Sequence, residues 1–413
     1  MAREYKDSGI EWVKTIPSSW NVIKGKHLLT LLNRPVRETD EIVTCFRDGE
    51  VVLRSERRLE GFTMSDKEIG YQGINKGDVV IHGMDGFAGA MGVSKSTGKG
   101  SPVLIVCNPK YKDNPRYIIY YLRSLAMTNV FIALATGIRE RSCDLRWKKI
   151  AELPFLQPIY SEQEKIADYL DKVCGETDEM IALQEKMIEE LKAYKQSVIT
   201  EAVTKGLNPN VPMKDSGIDW IGEIPEHWAV CKLKNKYTFL NGRAYSDSEL
   251  LDEGKYRILR VGNLFSSDKW YYSDMELEDN KYCFSGDLLY GWSASIGAYI
   301  WEQEKVIYHY HIWKVLFGEN DLHFSYYLLQ ALTFAKQKDM HGSAMQHLTK
   351  TNMDNSKIAI PIFAEQQKIA SYLDAKCSDI DSLIAVKQQK IEELKEYKKS
   401  VIYEYVTGKK EVN

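Results

Sequence analysis

The chain is written twice, and this self-similarity constrains its fold more than any other feature. Lys6-Asp-Ser-Gly-Ile-Glu-Trp12 returns as Lys214-Asp-Ser-Gly-Ile-Asp-Trp220, and the match continues through Ile16-Pro17 and Ile224-Pro225 to Trp20 and Trp228, at an offset of 208 residues. A second, longer block repeats at an offset of 203. It begins at Pro158-Ile159 and Pro361-Ile362, and runs through Glu162-Gln163 and Glu365-Gln366, then Tyr169-Leu-Asp171 and Tyr372-Leu-Asp374. It closes in Ser197-Val-Ile199 and Ser400-Val-Ile402. Between the repeated blocks only fragments echo, such as Lys76-Gly77-Asp78-Val79 against Ser285-Gly286-Asp287-Leu288. The order is therefore frame, insert, frame, insert, frame. A duplicated enzyme drifting evenly would not keep these blocks nearly identical while erasing its inserts. One scaffold holding two different heads is the expectation.

The longer block reads as helix. No proline falls between Pro158 and Pro209, or after Pro361. Ser161 followed by Glu164 has the spacing of a capping box, which the second copy lacks because Ala364 stands in place of the serine. Apolar residues at Ile166, Leu170, Val173, Met180, Met187, Leu191, Tyr194 and Val198 follow the four-and-three spacing of a coiled-coil seam. A flanking row, Cys174, Ile181 and Ile188, recurs every seven residues, and its copy is Cys377, Ile384 and Ile391. The combined stripe is wider than one partner helix covers. Ile166, Leu170, Val173, Leu191 and Val198 are accordingly expected to face Ile369, Leu373, Ile380, Leu394 and Val401 across a helix pair. Gly175 is the point where the first helix could break.

Each insert reads as α/β. Asp78–Ile81 and Val103–Val106 are apolar runs of strand length, and Arg116–Leu125 reads as a helix. The second insert repeats the order, with strands at Tyr256–Val261 and Leu288–Tyr290 and a helix at Phe324–Leu332. The expected division is a first head with its lead-in segment over 1–153 and a helical spacer over 154–206. A second lead-in and head follow over 207–360, then a second spacer over 361–413.

Net charge is −3, which by itself argues against a nucleic-acid partner. The total hides an asymmetry: residues 21–153 carry 21 Lys and Arg against 15 Asp and Glu, whereas 154–228 carry 7 against 15. Residues 229–360 carry 15 against 16, so the second head has no comparable excess. Seven scattered cysteines form no Cys-x-x-Cys pair, which disfavours a disulfide framework or a zinc site and suggests reduced, cytoplasmic thiols. No apolar run approaches the roughly 18–20 residues of a membrane span, and no signal peptide is visible.

Two variable segments, each ended by Pro-Ile-x-x-Glu-Gln-x-Lys-Ile-Ala and a long helix closing in Tyr-Lys-x-Ser-Val-Ile, resemble the specificity subunit of Type I restriction–modification enzymes. The segments here are Pro158–Ala167 with Tyr194–Ile199, and Pro361–Ala370 with Tyr397–Ile402. Trp220-Ile-Gly-Glu-Ile-Pro-Glu-His-Trp228 matches the family's opening signature, while the first copy departs from it with Lys14 where glycine is usual. Tyr405-Val-Thr-Gly-Lys409 is also typical. The resemblance implies two α/β target-recognition domains joined by two long antiparallel coiled-coil helices in a pseudo-two-fold repeat. It implies a chain without catalysis that reads a bipartite, asymmetric site on double-stranded DNA and docks two modification (methyltransferase) subunits and restriction/translocase subunits. S-adenosylmethionine, ATP and Mg²⁺ would be used by those partners, with no cofactor or metal in this chain. A recognition subunit of another methyltransferase-coupled restriction system, or a coiled-coil adaptor between proteins, are the alternatives.

The residues agree on the missing chemistry. Each Asn-Pro pair, at Asn108, Asn114 and Asn208, is followed by Lys, Arg or Asn rather than the Pro-aromatic pair with which adenine methyltransferases grip a flipped base. In the glycine-rich run 83–100, Gly98-Lys99 is followed by Gly100 where a phosphate loop needs Ser or Thr. His309 and His311 alternate as ordinary strand histidines do. For base reading, arginine suits guanine and Asn or Gln suits adenine. The candidates are Arg54, Arg57, Arg58, Arg139 and Arg141 in the first head, and Arg257, Arg260, Asn263 and Gln346 in the second. Gln346 lies in a Gly-Ser-x-x-Gln stretch that resembles a family segment.

Overall fold

The computed structural model describes residues 3–57, 69–133, 145–265, 267–293, 295–339 and 348–412. It divides into two compact units, residues 1–185 with 389–413, and residues 186–388. Its longer helices are α1 (Pro115–Met127), α2 (Tyr160–Lys205), α3 (Leu322–Asp339) and α4 (Phe363–Val406). At about 1.5 Å per residue α2 is about 69 Å long, and it runs unbroken through Gly175. Each unit thus takes part of α2 and part of α4.

In the first unit the lead-in segment folds as a small antiparallel pair, Tyr5–Asp7 with Thr15–Pro17, over the buried Trp20. Asn21–Lys24 then pairs antiparallel with Pro154–Gln157, so the head leaves and returns on neighbouring strands. The head carries a four-stranded antiparallel sheet. Its strands are β1 (Leu29–Leu31), β2 (Val79–His82), β3 (Met91–Val93) and β4 (Leu104–Pro109), in the order β1-β4-β2-β3. Side chains alternate across it. Val79 and Ile81 face Tyr117, Tyr121 and Leu122 of α1. Val80, Leu104 and Val106 face Val43, Val51 and Ile74. This two-sided burial explains why both strands read as continuous apolar runs. The stretch Gly98–Gly100 is a short strand paired with Gln72–Ile74. The core extends into the helix pair, where Ile166, Leu170 and Cys174 of α2 meet Val401, Ile402 and Val406 of α4. Tyr169 lies 4.4 Å from Tyr405 between ring centroids, and Asp178 pairs with Lys398 at 2.6 Å. The two segments therefore run antiparallel.

The second unit repeats the plan. Met213–Asp215 pairs with Glu223–Pro225 over the buried Trp228, and Ala229–Lys232 pairs with Lys357–Ile360. Its larger sheet is β5 (Thr238–Asn241), β6 (Leu288–Gly291), β7 (Gly297–Ile300) and β8 (Ile312–Leu316), in the order β5-β8-β6-β7. That is the order of the first head, strand for strand. A second sheet, absent from the first head's described residues, places Tyr256–Leu259 between Tyr271–Ser273 and Val306–Tyr308. The strand expected through Val261 therefore ends at Leu259, and Val261–Phe265 turns into a short helix. Helix α3 packs Phe324, Leu328 and Leu332 on Phe239, Leu288 and Trp313. Val198, Ile199 and Val203 of α2 share that core with Ile369, Leu373 and Cys377 of α4, and Lys195 pairs with Asp381 at 2.6 Å.

Two local expectations are corrected. Helix α2 begins at Tyr160, and the Gln163 N–H already bonds the Ile159 carbonyl, so Ser161 lies in the first turn and caps nothing. The seam also drifts. Ile166 and Leu170 are buried as expected, but burial then passes to Cys174, Thr177 and Ile188, leaving Met180, Met187 and Tyr194 exposed. A straight helix of 3.6 residues per turn falls out of step with a seven-residue repeat, so the buried line shifts into the neighbouring row.

The lead-in turns explain the departure at Lys14. Lys14 has φ +68°, and its counterpart Gly222 has φ +70°. A Cβ in this left-handed region costs about 1–2 kcal/mol, against roughly 0.5–1 kcal/mol of chain entropy for glycine. Lys14→Gly is expected to stabilise by roughly 0.5–1 kcal/mol, raising Tm by about 1–4 °C. A fall in Tm by calorimetry would show that the lysine side chain outweighs the strain.

Candidate nucleic-acid interface

The repeated Glu-Gln pair is what fixes each head to its long helix. In the first unit, Glu162 accepts from the Trp20 indole N–H at 3.0 Å and also pairs with Arg3. Gln163, 2 % exposed, accepts from the Asn114 backbone N–H at 2.7 Å, and donates to the Pro158 carbonyl at 2.9 Å and to Asp113 at 2.7 Å. In the second unit, Glu365 accepts from the Trp228 indole at 3.1 Å and meets His227 at 2.9 Å. Gln366 accepts from the Asp321 N–H at 2.8 Å, and donates to the Pro361 carbonyl at 3.0 Å and to Asn320 at 3.1 Å. Asn114 in turn caps α1 through the Arg116 and Tyr117 N–H groups. The aspartates of the Tyr-Leu-Asp repeats complete the joint. Asp171 accepts from Tyr120 at 2.7 Å and pairs with Arg116, and Asp374 accepts from Tyr327 at 2.9 Å and pairs with His323. The sequence showed these residues only as a repeated signature. Their double occurrence was the signal, but half of each joint lies in the unrepeated inserts.

The expected helix-pair residues take these places. Ile166, Leu170, Val198, Ile369, Leu373, Ile380, Leu394 and Val401 are buried, and Val173 and Leu191 are half-buried.

Among the candidate base readers, Arg58, Arg139, Arg141 and Gln346 lie outside the described residues. Arg54 is half-buried, and its Nε donates to the Thr44 hydroxyl at 3.2 Å. Arg57 lies over the Phe46 ring and pairs with Asp48 and Glu50, holding the Asp48 carboxyl below the usual carboxylate range. Arg257 pairs with Glu304 at 3.0 Å beside Trp270. Arg260 is exposed, with its guanidinium over Tyr271. Asn263 is engaged in its own loop: it accepts from the Arg260 N–H and donates to the carbonyls of Ser267 and Lys269. Arg54 and Arg57 thus share one short turn, and Arg260 and Asn263 another. Burial, with the neighbouring His311 second, pulls His309 down to about 4.

Leu145 and Leu348, the first described residues after 134–144 and 340–347, enter their heads at the same point of the fold. The Leu145 N–H bonds the Gly83 carbonyl just past β2, and the Leu348 N–H bonds the Trp292 carbonyl just past β6. That shared strand end is the candidate reading edge of each head.

Two α/β heads, each inserted between a lead-in segment and a long helix, define a duplicated scaffold, and comparison with known proteins shows what it is similar to. Residues 225–396 match the family described as the Type I restriction modification DNA specificity domain. The chain is 27 % identical over 417 residues to the Type I restriction enzyme MjaVIII specificity subunit of Methanocaldococcus jannaschii, covering 95 % of this chain and 93 % of that one. The putative MjaX specificity subunit of the same organism is 25 % identical over 359 residues, covering 84 % and 76 %. A chain solved in a study of complex assembly and conformational transition of the type I R-M system superposes with a TM-score of 0.73 at 14 % identity, over 95 % of this chain and 99 % of that one. The HsdS subunit from Thermoanaerobacter tengcongensis superposes with a TM-score of 0.50 at 16 % identity, over 95 % and 98 %. Nearly the whole chain is similar to Type I restriction–modification specificity subunits, and its second head with much of α4 matches that family's DNA specificity domain. No helix among the described residues is long and apolar enough to cross a membrane.

Proposed function

We propose that the chain reads a bipartite, asymmetric site on double-stranded DNA, one half-site per head, and docks two methyltransferase subunits through its long helices. The observation that carries this is the reuse of one strand order and one Glu-Gln joint beneath two heads of different surface chemistry. In the functional division, residues 1–153 and 207–360 are the readers, and 154–206 and 361–413 the spacers. Docking is supported by apolar residues left exposed on one face of α2, Met180, Leu183 and Met187, and by Leu383 and Val386 on α4. Partner subunits would supply S-adenosylmethionine, ATP and Mg²⁺ chemistry in the cytoplasm, with restriction/translocase subunits completing the complex. Arg54, Arg57, Arg58, Arg139, Arg141, Arg257, Arg260 and Gln346 remain the proposed DNA-contacting set, with Asn263 shaping the loop beside Arg260. Near-neutral overall charge fits a division in which the partners supply much of the phosphate grip.

The test is binding by the complete complex, with the target first found by methylome sequencing. One split duplex is expected to bind at least about 10³-fold more tightly than scrambled DNA, with affinity falling steeply with salt. Equal affinity for all duplexes would overturn the reading.

A further inference from the structure

The turn that joins the second head's two sheets is built unlike the matching turn of the first head. Residues 309–311 were expected on a strand, but they form a tight turn between Val306–Tyr308 and β8. Four bonds fix it. The Trp292 backbone N–H donates to the His311 carbonyl at 3.1 Å, and its indole N–H donates to the Tyr310 carbonyl at 2.8 Å. The His309 N–H bonds the Leu259 carbonyl at 2.9 Å, and the Tyr310 N–H bonds the Arg243 carbonyl at 2.9 Å. Gly242 passes so close that a Cβ there would sit 2.3 Å from the Tyr308 carbonyl oxygen, so only glycine admits the crossing. On this rigid support Tyr310 remains 37 % exposed and His311 half-exposed.

Strand register identifies the equivalent turn in the first head. Leu104 lies opposite His82 as Ile312 lies opposite Gly291, and the Gly83 N–H bonds the Val103 carbonyl as the Trp292 N–H bonds that of His311. Gly83 thus stands where Trp292 stands, and Pro102-Val103 where Tyr310-His311 stand. One architectural position carries an apolar pair in one head and a hydroxyl with an imidazole in the other. Such a difference, on a shared frame, is what separates readers of different sequences.

We propose that the Tyr310–His311 turn, positioned by Trp292, is a base-reading element for the second half-site. The inference rests on the reading of the heads as DNA readers and names the residues that act there. A tyrosine hydroxyl and an imidazole both donate and accept hydrogen bonds, as base edges in the major groove require. Arg260 follows Leu259, whose carbonyl fixes His309, so a cation for phosphate adjoins the turn.

The test uses the complete complex carrying His311→Ala or Tyr310→Phe, with His311→Asn as the conservative variant. Binding is measured on duplexes altered one base pair at a time across both half-sites. His311→Ala is expected to reduce discrimination roughly ten- to hundredfold at one or two positions of the second half-site. The first half-site and the salt slope should be unchanged. Tyr310→Phe should relax a neighbouring position, and His311→Asn should restore part of the preference. Preserved discrimination in all three variants overturns the proposal. So does uniform weakening on every sequence with a shallower salt slope, which marks a phosphate contact. If the unaltered complex shows no sequence preference, the DNA-reading function itself fails, and the turn falls with it.

Discussion

On the proposed reading of the heads, a chain ended after Gly206 is expected to dimerise and to change the methylated site from an asymmetric sequence to an interrupted palindrome of the first half-site. Truncation removes residues 389–413, which belong to the first unit. There Val401, Ile402 and Val406 fill the core beneath Trp20, the Tyr5 hydroxyl bonds the Gly408 carbonyl at 3.2 Å, and Lys409 reaches the Val13 carbonyl at 3.3 Å. The truncated chain retains a substitute. Val198, Ile199 and Val203 are spaced as Val401, Ile402 and Val406 are, and in the second unit they fill the core beneath Trp228, where Gly206 approaches the indole. The free end of α2 in one truncated chain can therefore cover the lead-in segment of another, and the reverse, in an isologous two-fold pair. Burial of apolar area at roughly 25 cal/mol per Å² favours that pairing over exposure. Light scattering on the purified fragment and methylome sequencing with the modification subunit present are the measurements. A folded fragment that stays monomeric at micromolar concentration, or that methylates the original asymmetric site, would sink the argument.

The repeat made the architecture legible because duplicated sequence must fold as duplicated structure. It exposed the lead-in turns, the long helices and the α/β heads, and it flagged Lys14 as the departure from Gly222. What it could not carry was contact between repeated and unrepeated residues. Gln163 and Gln366 are identical, but one meets Asp113 and Asn114 while the other meets Asn320 and Asp321. The candidate arginines were visible as charges, yet the partners of Arg257 and Arg57 depend on sheet pairing. Glu304 lies 47 residues from Arg257, and Asp48 lies in the turn of the hairpin that precedes Arg57. The Tyr310–His311 turn was hidden for a related reason. Two alternating histidines look like a strand unless the change of sheet between Tyr308 and Ile312 is known.

Replacing Gln366 by Leu is expected to be strongly destabilising at its helix joint. The side chain is 2 % exposed and satisfies three groups at once, the Asp321 N–H, the Pro361 carbonyl and Asn320. Leucine fills a similar volume but leaves those groups without a partner in a region closed to water. Each orphaned polar group costs about 1–3 kcal/mol, so a total of roughly 3–5 kcal/mol follows once partial relaxation is allowed. For a unit of this size that lowers Tm by about 10 °C. The loss should be local. Hydrogen exchange should rise at the start of α3 and in the first turns of α4, while α1 and the Gln163 joint keep their protection, because the two joints share no residue. Gln163→Leu should give the mirror result. Gln366→Glu separates the contributions: a carboxylate can still accept from the Asp321 N–H, but it cannot donate to the Pro361 carbonyl. It should therefore fall below the wild type and recover only in part relative to leucine. Equal protection at both joints in Gln366→Leu, with Tm unchanged, would mean that the heads are held by the aspartate pairs and the apolar core alone.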